Sequence, residues 1–469
     1  MFLNIDKQEK STIAVRDSEG HSLTYGELTD AVTKMKKFLT KRCVAFCLCK
    51  NTAGGILGYL SMADAGIVAL MLNADTDKSL FSRFFELYSP TYLWVPTDMA
   101  EKMEYKKVYE AMGYCLLKTK NRPYMLNPKL ELLMATSGST GSPKVVRYKK
   151  GNLEANAQNV AQAFGWTSKE RAVCDLGIQY TMGLNVVNTH LYAGATVLLT
   201  TYNLMSSEFW DYVKQEKATN FTGVPFSYEI LSRLRFGEMD LPELTTLSQG
   251  GGKLTNKRFE EFAEYADRNG KRFIASFGTT ETSARMSVLP PEEALKRTGS
   301  IGKAIPQGEM FLIDETGNIQ NETVSEGELC YKGPNVTMGY AYDQNDLRRG
   351  DDWNGEYHTG DMARRDRDGF YYITGRKSRF LKLLSYRISL DQSENLIREQ
   401  FGVDCACTGT DQQMKIYIAE RGYEEKIVEF MSEKTGLYRS LFKVTEGISI
   451  SRNASGKIEY EKLKDQEEK

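Results

Sequence analysis

Short apolar runs rich in β-formers, at residues 44–48, 66–72, 92–95 and 195–200, alternate along this chain with longer segments of helical texture. Strands in such a pattern must be covered on their faces by helices, so the fold class is α/β. Helices are predicted at 24–39, behind a Ser/Thr cap, and at 153–164, 209–215 and 257–269. From about Gly299 the texture changes to short strands separated by turn sequences such as ETGN and DRDG, ending at Gly375 and Arg376. The remainder alternates strands and helices again, at a size that suits a small α+β domain. We therefore expect a large multi-layer N-terminal α/β domain over residues 1–375 and a small, mobile α+β lid over 376–469, which a chain of 469 residues can accommodate.

Lys plus Arg number 61 and Asp plus Glu 62, a net charge of −1, so no global field draws the chain onto nucleic acid or an anionic membrane. Any anionic ligand must be held by a local site. The eight cysteines form no CxxC pair and none lies near a histidine, which argues against zinc. Cys43, Cys47 and Cys49 alternate along an apolar run, the usage of small core hydrophobes in a reducing compartment. The opening MFLNIDKQEK lacks the basic region and apolar stretch of a signal peptide, and the most apolar stretch, 58–72, is broken by Asp64. The expectation is a cytoplasmic protein without membrane insertion.

Directly after the apolar run LLMA, residues 136–144 read TSGSTGSPK, packing glycines, hydroxyl residues, a proline and a lysine into nine positions. A loop of this kind can surround phosphates with N–H, O–H and ammonium donors. It lacks Walker A spacing, as do the Gly-Lys pairs at 252–253 and 456–457. Taken alone it would more readily suit a flexible surface connection.

With its flanks, however, the loop resembles the TSGSTGxPKG signature of the superfamily of acyl-CoA synthetases, nonribosomal peptide adenylation domains and luciferases. The resemblance continues in order. Tyr25-Gly26-Glu27-Leu28 looks like the N-terminal YxEL element, and Gly250-Gly251-Gly252 like the glycine turn beside the adenine. Phe277-Gly278-Thr279-Thr280-Glu281 is similar to YGxTE, Gly327-Glu328-Leu329 to the GEL strand, and His358-Thr359-Gly360-Asp361 to YxTGD. Gly375-Arg376 begins the hinge motif, and Asn453 to Lys457 resembles the terminal NxxGK motif.

The resemblance implies ATP-dependent activation of a carboxylic acid as acyl-AMP, with release of pyrophosphate, followed by acyl transfer to a thiol. Two anions must meet in the first step, so cationic and N–H donors are needed where charge develops. Thr136, Ser137, Gly138, Ser139, Thr140, Gly141 and Lys144 would hold the β- and γ-phosphates. Glu281 would be the Mg²⁺ ligand and Thr280 a donor to the α-phosphate, since a hard divalent cation favours carboxylate oxygen and water. Phe277, with Gly278 and Thr279 after it, stands where relatives mostly have Tyr, and stacking on adenine needs only the ring. Asp361 would accept from the ribose hydroxyls, Arg376 would reach ribose and phosphate from the domain junction, and Lys457 would be the catalytic lysine bridging carboxylate and α-phosphate. Each also has a plain reading: a first-turn glutamate, a turn aspartate, a surface arginine, a solvated lysine.

Three departures stand out. Val145 replaces the glycine that usually follows the loop lysine. Ser378 occupies the hinge position, where relatives mostly carry Asp or Lys. Ser385 adds a side chain where a glycine usually lines the path of the thiol arm, which makes the thioester step less secure than adenylation.

Counting back from Gly194-Ala195 places Thr181 where amino-acid-activating relatives carry an aspartate, which disfavours an α-amino acid substrate. Acyl-pocket candidates are Gln179, Tyr180, Thr181, Met182, Gly183, Pro225, Phe226, Gly251 and Ser283, although Tyr180, Met182 and Phe226 would equally suit core packing.

The sequence reading is thus an AMP-forming acid–thiol ligase using ATP and Mg²⁺ on a small carboxylic acid. The acceptor is CoA or the phosphopantetheine of a separate acyl carrier protein acting in trans. A non-thiol acceptor or a nucleotide-binding pseudoenzyme are the alternatives. The intact set of Lys144, Glu281, Asp361 and Lys457 argues against the pseudoenzyme.

Overall fold

The computed structural model describes residues 1–135, 144–384, 386–452, 458–460 and 462–463. Among these, the strands up to Arg376 form three sheets. Eight strands run in the order Tyr340–Ala341, Val145–Lys149, Leu130–Ala135, Val68–Asn73, Val44–Cys49, Tyr92–Pro96, Tyr114–Lys118 and Lys106–Ala111. Nine run in the order Lys303–Ala304, Ser287–Leu289, Arg272–Phe277, Thr246–Gln249, Asn220–Gly223, Arg171–Cys174, Thr196–Leu199, Ile13–Asp17 and Ser22–Thr24. Four antiparallel strands, Glu309–Ile313, Ser325–Lys332, Glu356–Arg365 and Tyr371–Arg376, make the third.

Side-chain alternation along the central strands shows the layering. Val44, Phe46 and Leu48 pack outward with Phe84 and Tyr88 of the helix Lys78–Tyr88. Ala45, Cys47 and Cys49 pack inward, in one cluster with Val197 and Leu199 of the nine-stranded sheet and with four helices, Tyr25–Lys36, Ala53–Asp64, Asn152–Phe164 and Thr181–Tyr192. Those helices therefore fill the space between the two large sheets. Beyond the nine-stranded sheet, Phe221, Leu247 and Phe273 face the helices Ser207–Gln215, Pro225–Arg233 and Asn256–Arg268. Strands buried on both faces read as continuous apolar runs, which is why the run at 44–48 was legible.

The helices begin where the sequence places them. Thr24 caps Tyr25–Lys36, accepting from the Glu27 amide while the Glu27 carboxylate accepts from the Thr24 amide. Tyr25 donates to the carbonyl of Ala195 at 2.7 Å, tying this helix to the neighbouring layer. The helix Ala53–Asp64 owes its three glycines to crowding: a Cβ on Gly58 would lie 2.1 Å from the Trp94 ring. All eight cysteines are buried free thiols, as the sequence suggests.

After Arg376 the chain turns through Ser378, which is exposed, into the hairpin Phe380–Leu383 and Tyr386–Ser389. The strands Cys405–Thr410, Gln413–Ile418 and Phe442–Thr445, with the helices Leu390–Phe401 and Glu424–Thr435, then build a core of their own. This is the small α+β unit expected beside the large layered one. No helix among the described residues is long and apolar enough to cross a membrane.

Candidate active site

The strands Leu130–Ala135 and Val145–Lys149 are antiparallel neighbours, with Ala135 opposite Val145, so residues 136–144 join adjacent strands at one end of the eight-stranded sheet. Thr136, Ser137, Gly138, Ser139, Thr140 and Gly141 lie outside the described residues, as do Ser385 and Lys457. Lys144 is described. Its Nζ sits 4.1 Å from the centroid of the Tyr340 ring. The Tyr340 hydroxyl in turn donates to Glu281 Oε1 at 2.6 Å. Burial, with the Glu281 charge beside it, pushes the Tyr340 phenol above its ordinary pKa and keeps it a donor. Arg147 fixes the backbone of Tyr340 by donating to its carbonyl at 3.1 Å. Lys144 and Glu281, far apart in sequence, are thus brought together through a tyrosine that the motifs did not include.

Local backbone geometry explains the glycine and threonines before Glu281. A Cβ on Gly278 would lie 1.5 Å from the Ala284 carbonyl oxygen, so no other residue fits there. The chain makes one short helical turn over Thr280–Thr282, then reverses through Ser283 and Ala284, which have φ of 58° and 94°. The Thr280 carbonyl accepts from Tyr148 Oη at 2.7 Å, and its hydroxyl accepts from Thr181 Oγ1 at 3.1 Å. The predicted acyl-pocket residue and the predicted phosphate donor are therefore in contact.

The glycine turn follows the strand Thr246–Gln249. Gly251 has φ of 75°, and a Cβ on Gly250 would come within 2.5 Å of Met182 Cε. Pro225 approaches Gly252 in the same way. Phe277 ends its strand half-buried, Tyr180 is 38% exposed and Phe226 51% exposed, so the last two are surface rings and not core packing. Other pocket candidates are committed to local structure. Gln179 folds over Gly177, Gly183 packs against the carbonyls of residues 176 and 177, and Ser283 donates to the Asn335 carbonyl at 2.8 Å.

Asp361 and Arg376 face each other across paired strands, and Arg376 Nε meets Asp361 Oδ1 at 2.7 Å. Asp361 is buried while the arginine is half exposed, so the carboxylate is fixed and the cation faces solvent. Beneath them Glu328, of the GEL match, accepts from the Gly360 amide at 3.2 Å and from Lys377 Nζ at 2.5 Å. Glu328 thereby buckles the strand bearing Asp361 to the first residue after Arg376. The Arg376 amide donates to Asp391, which also pairs with Arg379 at 2.5 Å.

One further residue escaped sequence reasoning. Arg285, directly after the reversal at Ser283 and Ala284, is 1% exposed. Its Nη2 donates to Ser248 Oγ at 3.3 Å, its guanidinium lies 4.5 Å from the Phe164 ring, and its Nε has no partner among the described residues. Nothing in the sequence distinguishes it from the other arginines, because burial is a property of the fold.

Residues 3–341 match the AMP-binding enzyme family. Oxalate–CoA ligase of Arabidopsis thaliana is 28% identical over 343 residues, 70% of this chain and 66% of that protein. 2-Succinylbenzoate–CoA ligase of Bacillus subtilis is 26% identical over 468 residues, covering 95% of this chain and 94% of that one. In fold, the chain is similar to o-succinylbenzoate CoA synthetase of Bacillus subtilis in complex with its acyl-adenylate intermediate, with a TM-score of 0.80 at 21% identity over 99% of this chain and 97% of that one.

Proposed function

This chain belongs to the AMP-binding enzyme family, and from that premise we propose that it activates a small carboxylic acid with ATP and passes the acyl group to the thiol of CoA. In the first step a carboxylate oxygen attacks the α-phosphorus and the bond to the leaving pyrophosphate breaks. In the second the thiol sulfur attacks the acyl carbon and AMP departs. CoA is favoured over a carrier protein because relatives matching nearly the whole chain are CoA ligases.

The observation that carries this reading is the convergence of Lys144, Tyr340 and Glu281 next to the contact between Thr181 and Thr280. Lys144, with Thr136 to Gly141 before it, would neutralise the β- and γ-phosphates as charge moves onto the leaving group. Thr280 would donate to the α-phosphate. A hard divalent cation suits Glu281, whose carboxylate keeps lone pairs beyond the one that Tyr340 uses. Mg²⁺ held there would screen phosphate charge. The fixed Asp361 carboxylate would accept from the ribose hydroxyls, with Arg376 alongside, and Phe277 and the turn at Gly250 to Gly252 would frame the base.

Lys457 is proposed as the cation that bridges carboxylate and α-phosphate from a unit hinged at Ser378, with residues 1–375 and 376–469 as the two domains. A panel of carboxylic acids with ATP, Mg²⁺ and CoA should yield AMP and pyrophosphate; ADP and phosphate as products would sink the reading. In single-turnover kinetics Lys457→Ala should slow adenylation by about 10²–10³ while transfer from supplied acyl-AMP stays within a few-fold. Equal slowing of both steps would refute its proposed place.

A further inference from the structure

Among the described residues two arginines are buried completely, and their surroundings differ sharply. Arg147 is saturated: it donates to the carbonyls of Met338, Tyr340, Arg349 and Gly350 and pairs with Asp352 at 2.6 Å. Arg285 has one long contact to a serine hydroxyl and an aromatic face, and among the described residues no carboxylate lies within ion-pairing distance. Burial pushes its pKa down, to about 9, which still leaves it a cation at neutral pH. His190, whose charge would oppose that of Arg285, is held neutral by burial, its pKa lowered to about 4. A buried guanidinium without an anion is costly, and proteins normally avoid one.

The position of Arg285 relative to the reacting end shows what could supply that anion. Phe221 and Leu247 face the outer helices, so Thr222 and Ser248 face inward, where they share a hydrogen bond of 2.7 Å. Arg285 meets Ser248 on this inner side, against Phe164 of the inner helix layer. Thr181, in contact with Thr280, starts the helix Thr181–Tyr192, and Asn185 lies one turn further in on the same face. Asn185 donates to Asn156, which donates to the Arg285 carbonyl at 2.8 Å. Hydrogen bonds thus tie the backbone of Arg285 to this helix one turn in from the reacting end, about 6 Å of helix rise, which is comparable to the span of a short carbon linker or one aromatic ring.

Resting on the acid-activation reading above, we propose that the substrate is a dicarboxylic acid whose second carboxylate is held by Arg285, its two carboxyl groups separated by such a linker. A planar guanidinium offers a carboxylate paired donors, and the product would carry a free carboxylate at the end remote from the thioester.

The test uses the full chain and four matched pairs in which a methyl replaces one carboxylate: malonate with propionate, succinate with butyrate, glutarate with pentanoate, and homophthalate with 2-methylphenylacetate. Binding is read by calorimetry and activation by pyrophosphate release. At least one dicarboxylate should exceed its methyl partner by about 10²-fold in both readouts, Arg285→Gln should collapse that ratio to a few-fold, and Arg285→Lys should keep part of it. Equal members in every pair on the unaltered protein, or no dicarboxylate binding at all, would overturn the proposal even if Arg285→Gln failed to fold. So would a preference that survives Arg285→Gln. Dicarboxylate binding that depends on Arg285 but never yields AMP and pyrophosphate would uphold the anchor and refute the acid-activation reading.

Discussion

The helices between the two large sheets touch two very different surfaces. On the eight-stranded side they meet Ala45, Cys47, Met71, Trp94 and Met134, small or polarisable apolar groups packed closely enough that Gly58 cannot carry a Cβ. On the nine-stranded side, towards the C-terminal ends of Asn220–Gly223, Thr246–Gln249 and Arg272–Phe277, they meet Thr222, Ser248 and Ser276, all buried, with Arg285 beside them. Burying hydroxyls and a guanidinium there lowers stability relative to an apolar lining, and the polar surface adjoins Thr280 and the glycine turn. On the function proposed above, the difference separates a half that holds the molecule together from a half that would handle ligand.

If that division is right, variants in the polar half should lose rate without losing stability. The largest effect is expected at Glu281→Gln, which removes the proposed cation ligand and weakens the acceptor for Tyr340. Pyrophosphate release should fall by about 10²–10³ while the Tm moves by no more than a few degrees. A large fall in Tm with modest loss of rate would place Glu281 among the structural groups. Asp361→Ala comes next, because charge-assisted hydrogen bonds contribute about 1.5–3 kcal/mol each, so nucleotide affinity should weaken at least tenfold in calorimetry. Unchanged ATP affinity on a folded variant would remove the ribose assignment.

The same division explains what the sequence disclosed. Runs such as 44–48 announce strands buried on both faces, because hydrophobic periodicity records burial directly. Gly278, Thr280, Glu281 and Asp361 could be named as candidates because short segments with fixed backbone demands carry them. Tyr340 was not, since it reaches Glu281 from an edge strand of the other sheet, paired to Val146. Glu328 matched a motif, but its link between Gly360 and Lys377 exists only once two strands pair. Arg285 was silent for a related reason: a single cation in TSARM gives no sign that two successive left-handed residues will turn it inward.

The apolar half should behave in the opposite way. Helix propensity alone favours Ala over Gly by about 1 kcal/mol, so Gly58→Ala would be stabilising on an isolated helix. Here the added methyl would lie 2.1 Å from the Trp94 ring, and overpacking of this kind costs about 1–3 kcal/mol. A lowered Tm with kcat and KM unchanged per folded molecule is expected. A raised Tm would mean that Trp94 yields easily and that the half is less tightly packed than the contacts indicate.

The smallest predicted effect concerns Glu131, a half-buried carboxyl on the strand Leu130–Ala135 of the eight-stranded sheet. Burial, then the nearby Glu154, pushes Glu131 up to about 8, and one oxygen of each carboxyl has no hydrogen-bond partner among the described residues. A carboxyl whose pKa is raised on folding is bound to its proton more tightly in the native state. Between its ordinary pKa and about 8 the native chain therefore holds more protons than the unfolded one, and stability falls as pH rises through that window. Glu131→Gln mimics the protonated form and removes the dependence. Its Tm should exceed that of the unaltered protein by a few degrees at pH 8.5 and match it near pH 4.5. A Tm difference that stays constant across this range would show that Glu131 titrates normally, and that the eight-stranded half admits enough water to solvate a charge.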